Sequence, residues 1–218
     1  MKKKNEKSAY LDQHLRQSKG ILHLGAHVGQ EAEYYSGLSK PVIWIEAMPN
    51  IYVRLTENIK KYSNQLALNA LLTDKDNVIH TFNISNYLDG VSSSIFQFGK
   101  YSEGEKTLWP KHNLHMVDSV DLSSTRLDTL METNNIEISQ YNFWIVDLQG
   151  AELLALNGAE KSLKSCDKLY VEVSLDEVYK GGVLYPELLT YLNSQGFIPA
   201  FEPRKIHDDV LFIRKNSI

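Results

Sequence analysis

Apolar residues in this chain come in short continuous runs that end in turn residues or a single acid. Ile21–Leu24 runs into Gly25-Ala26-His27-Val28-Gly29, and Gln30–Ser39 then reads as a short helix closed by the Gly37 and Pro41 region. Pro41–Glu46 is again continuously apolar until its terminal carboxylate. Pro49 and Asn50 open a helix with Ile51, Leu55 and Ile59 on one face, and a third run spans Leu66–Leu72. Runs of this length, apolar at successive positions, fit parallel strands buried on both faces. Beyond Thr73 the pattern loosens. Val78–Ile84 and Val117–Leu122 read as strands, but the stretch between them, with Ser92-Ser93-Ser94, Trp109-Pro110, His112 and His115, has no period and predicts a binding loop. Leu127–Met131 starts a short helix.

Order returns at Phe143–Asp147, a buried strand, with Gly150 opening a helix whose buried side is Leu153, Leu154, Leu156 and Leu163. Leu169–Ser174 is a further strand and Pro186–Asn193 a helix with proline in its first turn and Gly196 beyond its end. Phe197–Phe201 and Val210–Arg214 are close enough to form an antiparallel hairpin. Strands alternating with helices and closed by a hairpin predict a mostly parallel sheet with an antiparallel edge.

Several positions carry candidate chemistry. The turn at Gly25 and Gly29 lets a ligand lie against backbone at a helix start, which suits a nucleotide-like molecule. His27 stands where a dinucleotide fingerprint has its middle glycine and would crowd a pyrophosphate. Glu46 closes the second strand about twenty residues beyond Gly25, where an acid accepts hydrogen bonds from both hydroxyls of a ribose. Asp147 ends its strand at the same carboxyl edge of the sheet and faces the same cleft. Asn69, near the end of the third strand, either pairs with an adenine edge or makes a hydrogen bond within the sheet. Glu152 lies in a first helical turn, where the helix dipole favours it. His112 and His115 read as surface residues in preference to metal ligands.

Composition narrows the setting. The chain has 218 residues, enough for one substantial core, so residues 20–218 are expected to form a single domain behind an N-terminal tail or helix over 1–19. Net charge is −4 and the cations are scattered apart from Lys2, Lys3, Lys4 and Lys7, so no nucleic-acid partner is expected. The lysines are followed by a polar stretch instead of the apolar core of a signal peptide, and no run is long enough to span a bilayer. Cys166 is the single cysteine and cannot form an internal bridge, so a reducing, cytoplasmic setting is expected. An exposed edge of the terminal hairpin offers pairing to a second copy, a homodimer.

With these blocks placed, the sequence resembles the FkbM-type family of S-adenosylmethionine-dependent methyltransferases. The resemblance rests on Leu24–Gly29, Trp44–Pro49, Arg126-Leu127-Asp128, the late Asp209–Phe212 strand and above all Val146-Asp147-Leu148-Gln149-Gly150-Ala151-Glu152-Leu153. It implies a Rossmann-like class I fold, an α/β architecture with helices on both faces of the sheet. It further implies S-adenosylmethionine as cofactor, with Gly25, Ala26 and Gly29 beneath its methionine part, Glu46 on the ribose, Ala47 and Met48 beside the adenine, and Asn69-Ala70 at its edge. Asp147 would stand where methyl donor and acceptor meet. The family usually has an acid at the position of His23 that anchors the cofactor's ammonium group. A histidine accepts a hydrogen bond only when neutral, so cofactor affinity is expected to fall at low pH.

Methylation of a hydroxyl requires a base for its proton. Asp147 is the first candidate, His27 and His115 are rivals, and a divalent metal held by Asp147, Glu152 and Glu172 is a third route. The resemblance implies O-methylation of a sugar, a surface-polysaccharide precursor or another small metabolite. Two other classes compete: an NAD-dependent oxidoreductase, which lacks its third glycine here, and a non-catalytic nucleotide-binding module, favoured by His23 alone.

Overall fold

The structure is a computed structural model that describes residues 2–102 and 104–215. Its first element is a helix, α1 (Lys2–Arg16), over most of the segment expected as a tail or helix. The chain then alternates as β1 (Ile21–Leu24), α2 (Ala32–Gly37), β2 (Val42–Glu46), α3 (Pro49–Ile59) and β3 (Gln65–Asn69). The expected third strand is cut in two. After Ala70 the chain leaves the main sheet, and β4 (Leu71–Leu72) joins β5 (Ile79–Ser85) and β6 (Met116–Thr125) in a small second sheet of order β4-β6-β5. The remaining elements are α4 (Leu127–Thr133), β7 (Phe143–Val146), α5 (Glu152–Asn157), β8 (Lys168–Ser174), α6 (Tyr185–Ser194), β9 (Phe197–Pro199) and β10 (His207–Arg214).

The main sheet has the order β3-β2-β1-β7-β8-β10-β9. Its first five strands are parallel, while β10 is antiparallel to both β8 and β9. The expected hairpin is therefore present, but its second strand, not its first, pairs with β8. Order reverses between β1 and β7, and at such a switch point the two adjacent connections diverge to opposite faces and leave a crevice at the strands' carboxyl ends.

Successive residues of the central strands bury in opposite directions, as the period of a strand demands. Ile21, Val42, Trp44 and Phe143 pack with Leu15 of α1, Tyr35 of α2 and Leu55 of α3. Leu22, Ile43, Ile45 and Trp144 pack instead with Leu127 of α4, Leu156 of α5 and Leu192 of α6. Helices thus cover both faces, which is why β1 and β2 are apolar at nearly every position.

The Arg126-Leu127-Asp128 motif has a structural explanation. Asp128 is 4% exposed, and its carboxylate accepts the backbone N–H groups of Lys161 (2.9 Å) and Ser162 (2.8 Å), fixing the turn after α5. Asp128→Ala leaves both donors unpaired, and we expect a loss of about 2–4 kcal/mol in unfolding free energy, read from the urea midpoint. A loss below about 1 kcal/mol would show that the turn finds other partners.

Candidate functional site

The crevice at the switch point holds a cavity of about 290 Å³. Its floor is the turn after β1. Gly25 and Gly29 have φ of +82° and +71°, the left-handed region that favours glycine, but the reason for them lies inside the protein. A Cβ on Gly25 would overlap the carbonyl oxygen of Asp147, and one on Gly29 would come within 2.7 Å of Leu55 Cδ1. Gly25 and Ala26 still line the cavity, whereas Gly29 sits behind it, against α3.

Glu46 is buried at the tip of β2. One carboxylate oxygen accepts the N–H of His27 (2.8 Å) and the other that of Met48 (2.8 Å), so a single side chain ties the glycine turn to the start of α3. Burial raises its pKa, and these backbone donors pull the other way. Each oxygen keeps a lone pair for a ligand in the cavity it lines. Ala47, Met48, Ala70 and Phe82 give the same cavity an apolar wall. Asn69 lies outside that wall. Its amide donates to the carbonyls of Glu46 (2.8 Å) and Ala47 (3.0 Å), so it is the hydrogen bond within the sheet and fixes the end of β2.

The histidines separate. His23 is buried and stacks on Trp44, with ring centroids 5.0 Å apart, and Tyr35 stacks on the same indole at 5.2 Å. Burial pulls the pKa of His23 down to about 3, so its ring is neutral across the physiological range and the expected loss of affinity through its protonation falls below that range. It lines the cavity together with Glu31, whose pKa burial raises. Nothing in the spacing of Glu31 marks it in the sequence. His27 lines the cavity too. It has φ of +46°, its Nδ1 lies 3.1 Å from Gln30 Nε2, and its ring is set against the backbone of Asp89. His115 is elsewhere: it is exposed, with its Nδ1 2.7 Å from the Asn113 carbonyl, and lines neither this cavity nor the next.

A second cavity of about 250 Å³ adjoins the first, and Asp147 and Gln149 line both. Tyr87, Trp109 and His112 reach it from the aperiodic segment between β5 and β6, His112 as the exposed residue expected. Glu172 of β8 and His207 of β10 form its inner end, joined by a 2.8 Å contact between Nε2 and Oε1, and Ser174 Oγ lies 3.0 Å from His207 Nδ1. His207 has no signal in the sequence because only the antiparallel pairing of β10 with β8, in which it faces Ser174, brings it here.

The Asp147–Glu152 segment is the clamp between the cavities. Gln149 has φ of +55° and Gly150 of +98°, and Glu152, 2% exposed, closes the turn by accepting the N–H groups of Leu148 (2.9 Å) and Gly150 (3.1 Å). Burial raises the Glu152 pKa to about 7. Gln149 donates to Asp147 and to Glu172 (3.1 Å) and accepts from the hydroxyl of Tyr179. The carboxyls of Asp147 and Glu172 are both held well above the usual range, by burial first and then by neighbouring carboxylates, Glu172 acting on Asp147 and Glu152 on Glu172. Among the described residues no group of three His, Cys, Asp or Glu side chains is arranged to hold a metal ion.

A family model described as "Methyltransferase FkbM domain" matches residues 23–199. No curated protein matches the chain. Among solved structures, a SAM-dependent methyltransferase from Aquifex aeolicus aligns with 94% of this chain and 88% of its own, at 11% identity and a TM-score of 0.51. Magnesium protoporphyrin IX methyltransferase from Synechocystis PCC 6803 aligns with 95% and 79%, at 8% identity and a TM-score of 0.48. A TehB-like SAM-dependent methyltransferase from Corynebacterium glutamicum aligns with 90% and 80%, at 12% identity and a TM-score of 0.45. At 11% identity the Aquifex likeness is one of fold.

Proposed function

From a chain that belongs to the FkbM methyltransferase family, we propose the transfer of a methyl group from S-adenosylmethionine to a hydroxyl of a sugar or another small polar molecule. One observation carries the reading: Asp147 stands in the wall common to two adjoining cavities, so a donor in one and an acceptor in the other meet at its carboxyl. Orientation of this kind is a large part of what an enzyme contributes to such a transfer, up to about 7–11 kcal/mol in favourable systems.

The first cavity suits the cofactor. Glu46 offers lone pairs to the ribose hydroxyls, and Ala47, Met48, Phe82 and Ala70 flank the adenine. Glu31, lining the cavity beside neutral His23, brings the carboxylate that a cationic ammonium group requires and that His23 lacks. Bound there, S-adenosylmethionine supplies a methyl group activated by its sulfonium. The second cavity has aromatic walls in Tyr87, Phe98 and Trp109 and acceptors in Asp147, Gln149 and Glu172. Among the described residues no lysine or arginine lines it, which favours a neutral polyhydroxylated acceptor over a phosphate or carboxylate. Asp147 orients the acceptor hydroxyl and takes its proton. His27 lines the cofactor cavity but not the acceptor cavity, and His115 lines neither, so neither competes for that role.

Calorimetric titration with S-adenosylhomocysteine, using NAD as the control ligand, tests the cofactor assignment. We expect micromolar binding of the first and none of the second, a difference of at least about 4 kcal/mol if NAD is weaker than millimolar. Binding of NAD alone would make the protein an oxidoreductase, and binding of neither would leave a module without this cofactor.

A further inference from the structure

Asp147 and Glu172 lie one step beyond Val146 and Val171, which are paired partners in the parallel strands β7 and β8. The two carboxyls therefore emerge side by side at one sheet edge, and the Gln149 amide bridges them. Gln149 holds both, and His207 holds the second oxygen of Glu172. The titratable groups that face the pair are Glu152 from α5, His207 and Asp209 from β10 and Tyr179 from the loop after β8. His23, Glu31, Tyr34, Tyr35 and Tyr170 share with them a third cavity, beneath α1. Among the described residues Lys7 reaches this region, where it is committed to Asp208 (3.0 Å) and to the carbonyl of Asp209 (2.5 Å). Among the described residues no lysine or arginine lines any of the three cavities that meet at Asp147. Burial lowers the pKa of His207 and so disfavours its cationic form, and two carboxyls held together without a lysine or arginine share one proton, because the second negative charge lacks a compensating cation.

We propose that the Asp147–Glu172 pair keeps a shared proton beside a neutral ligand, gives it up when a sulfonium cation binds, and takes one back from the acceptor during methyl transfer. This rests on the cofactor reading above. A sulfonium brings the missing positive charge, so the pair becomes fully ionised in its presence. In the transfer the O–C bond forms as the C–S bond breaks, and that electron pair stays on sulfur. The O–H proton passes to the carboxylate pair. The positive charge on sulfur and the extra negative charge on the pair vanish together, and the enclosed site keeps a constant net charge from substrate to product. Gln149 braces both carboxyls of the pair, and His207 braces Glu172.

The difference between S-adenosylmethionine and S-adenosylhomocysteine tests this without any acceptor. Calorimetric titration of the full chain in buffers of different ionisation enthalpy counts the protons exchanged, and a pH series gives the slope of affinity. Near pH 7 we expect S-adenosylmethionine to release about one proton, with affinity rising up to about tenfold per pH unit, and S-adenosylhomocysteine to release none. Glu172→Gln and Asp147→Asn each leave a single carboxyl, which ionises without its neighbour, and should lose the slope. Equal proton counts for the two ligands in the unaltered protein, or an unchanged slope in both variants, would overturn the proposal. If the variants do not fold, the comparison of ligands on the unaltered chain decides. Failure of both ligands to bind would instead remove the cofactor reading, whereas binding of both without a difference in protons leaves that reading intact and removes only this one.

Discussion

Gly25→Ala should leave little folded protein at room temperature. The residue has φ of +82°, where a side chain costs about 1–2 kcal/mol on conformational grounds alone. Steric overlap costs more, because the added Cβ would occupy the position of the Asp147 carbonyl oxygen. That oxygen has no room to retreat. The Asp147 N–H is bonded to the Leu24 carbonyl (3.1 Å) and the Gly25 N–H to the Ile45 carbonyl (3.0 Å), so the turn is pinned from β7 on one side and β2 on the other. Relief requires β1 and β7 to part at the centre of the sheet. We expect a loss above about 4 kcal/mol, a large part of the roughly 5–15 kcal/mol that holds a typical domain together. Gly37→Ala, at a helical glycine whose added Cβ meets nothing within 4 Å, is the matched control and should be neutral or slightly stabilising. Denaturant midpoints measure both. A Gly25→Ala variant within about 1 kcal/mol of the parent would mean that the strand ends separate more easily than their hydrogen bonds indicate.

Glu46→Gln should weaken S-adenosylhomocysteine by about 1.5–3 kcal/mol, roughly 10- to 150-fold, without unfolding the chain. The amide keeps the shape but has one acceptor oxygen where the carboxylate has two. Both carboxylate oxygens already serve backbone donors, at His27 and Met48, so an amide nitrogen must point at one of those N–H groups. The turn and the ligand then compete for one remaining oxygen. Calorimetry gives the affinity, and thermal unfolding of the unliganded variant separates the two effects. Unchanged affinity would take the ribose away from Glu46. Affinity lost in step with stability would assign the residue to the turn alone.

Most of the sheet is legible in the sequence because hydrophobic burial writes a local pattern. The runs Ile21–Leu24 and Val42–Glu46 announce strands covered on both faces, and the two faces of the core divide these runs residue by residue. The third run misleads, because Leu71 and Leu72 are as apolar as Leu68 and only their pairing with β6 shows that they belong to another sheet. The acids at strand ends, Glu46 and Asp147, are legible for a related reason: each interrupts an apolar run at the edge where a parallel sheet opens.

The alternation of most strands and helices, the glycine turn, and the acids at the carboxyl edge are written locally, since each depends on residues near one another in the chain. Tertiary structure decided why Gly25 must be glycine, a matter of the carbonyl of Asp147, far away in sequence. It also decided that His23 joins an aromatic stack, that Asn69 braces β2, and that β10 enters the sheet between β8 and β9 to set His207 against Glu172. Polar side chains that meet across strands leave no periodic trace, because their partners are fixed by register between segments distant in the chain, and register is settled only when the apolar faces have packed.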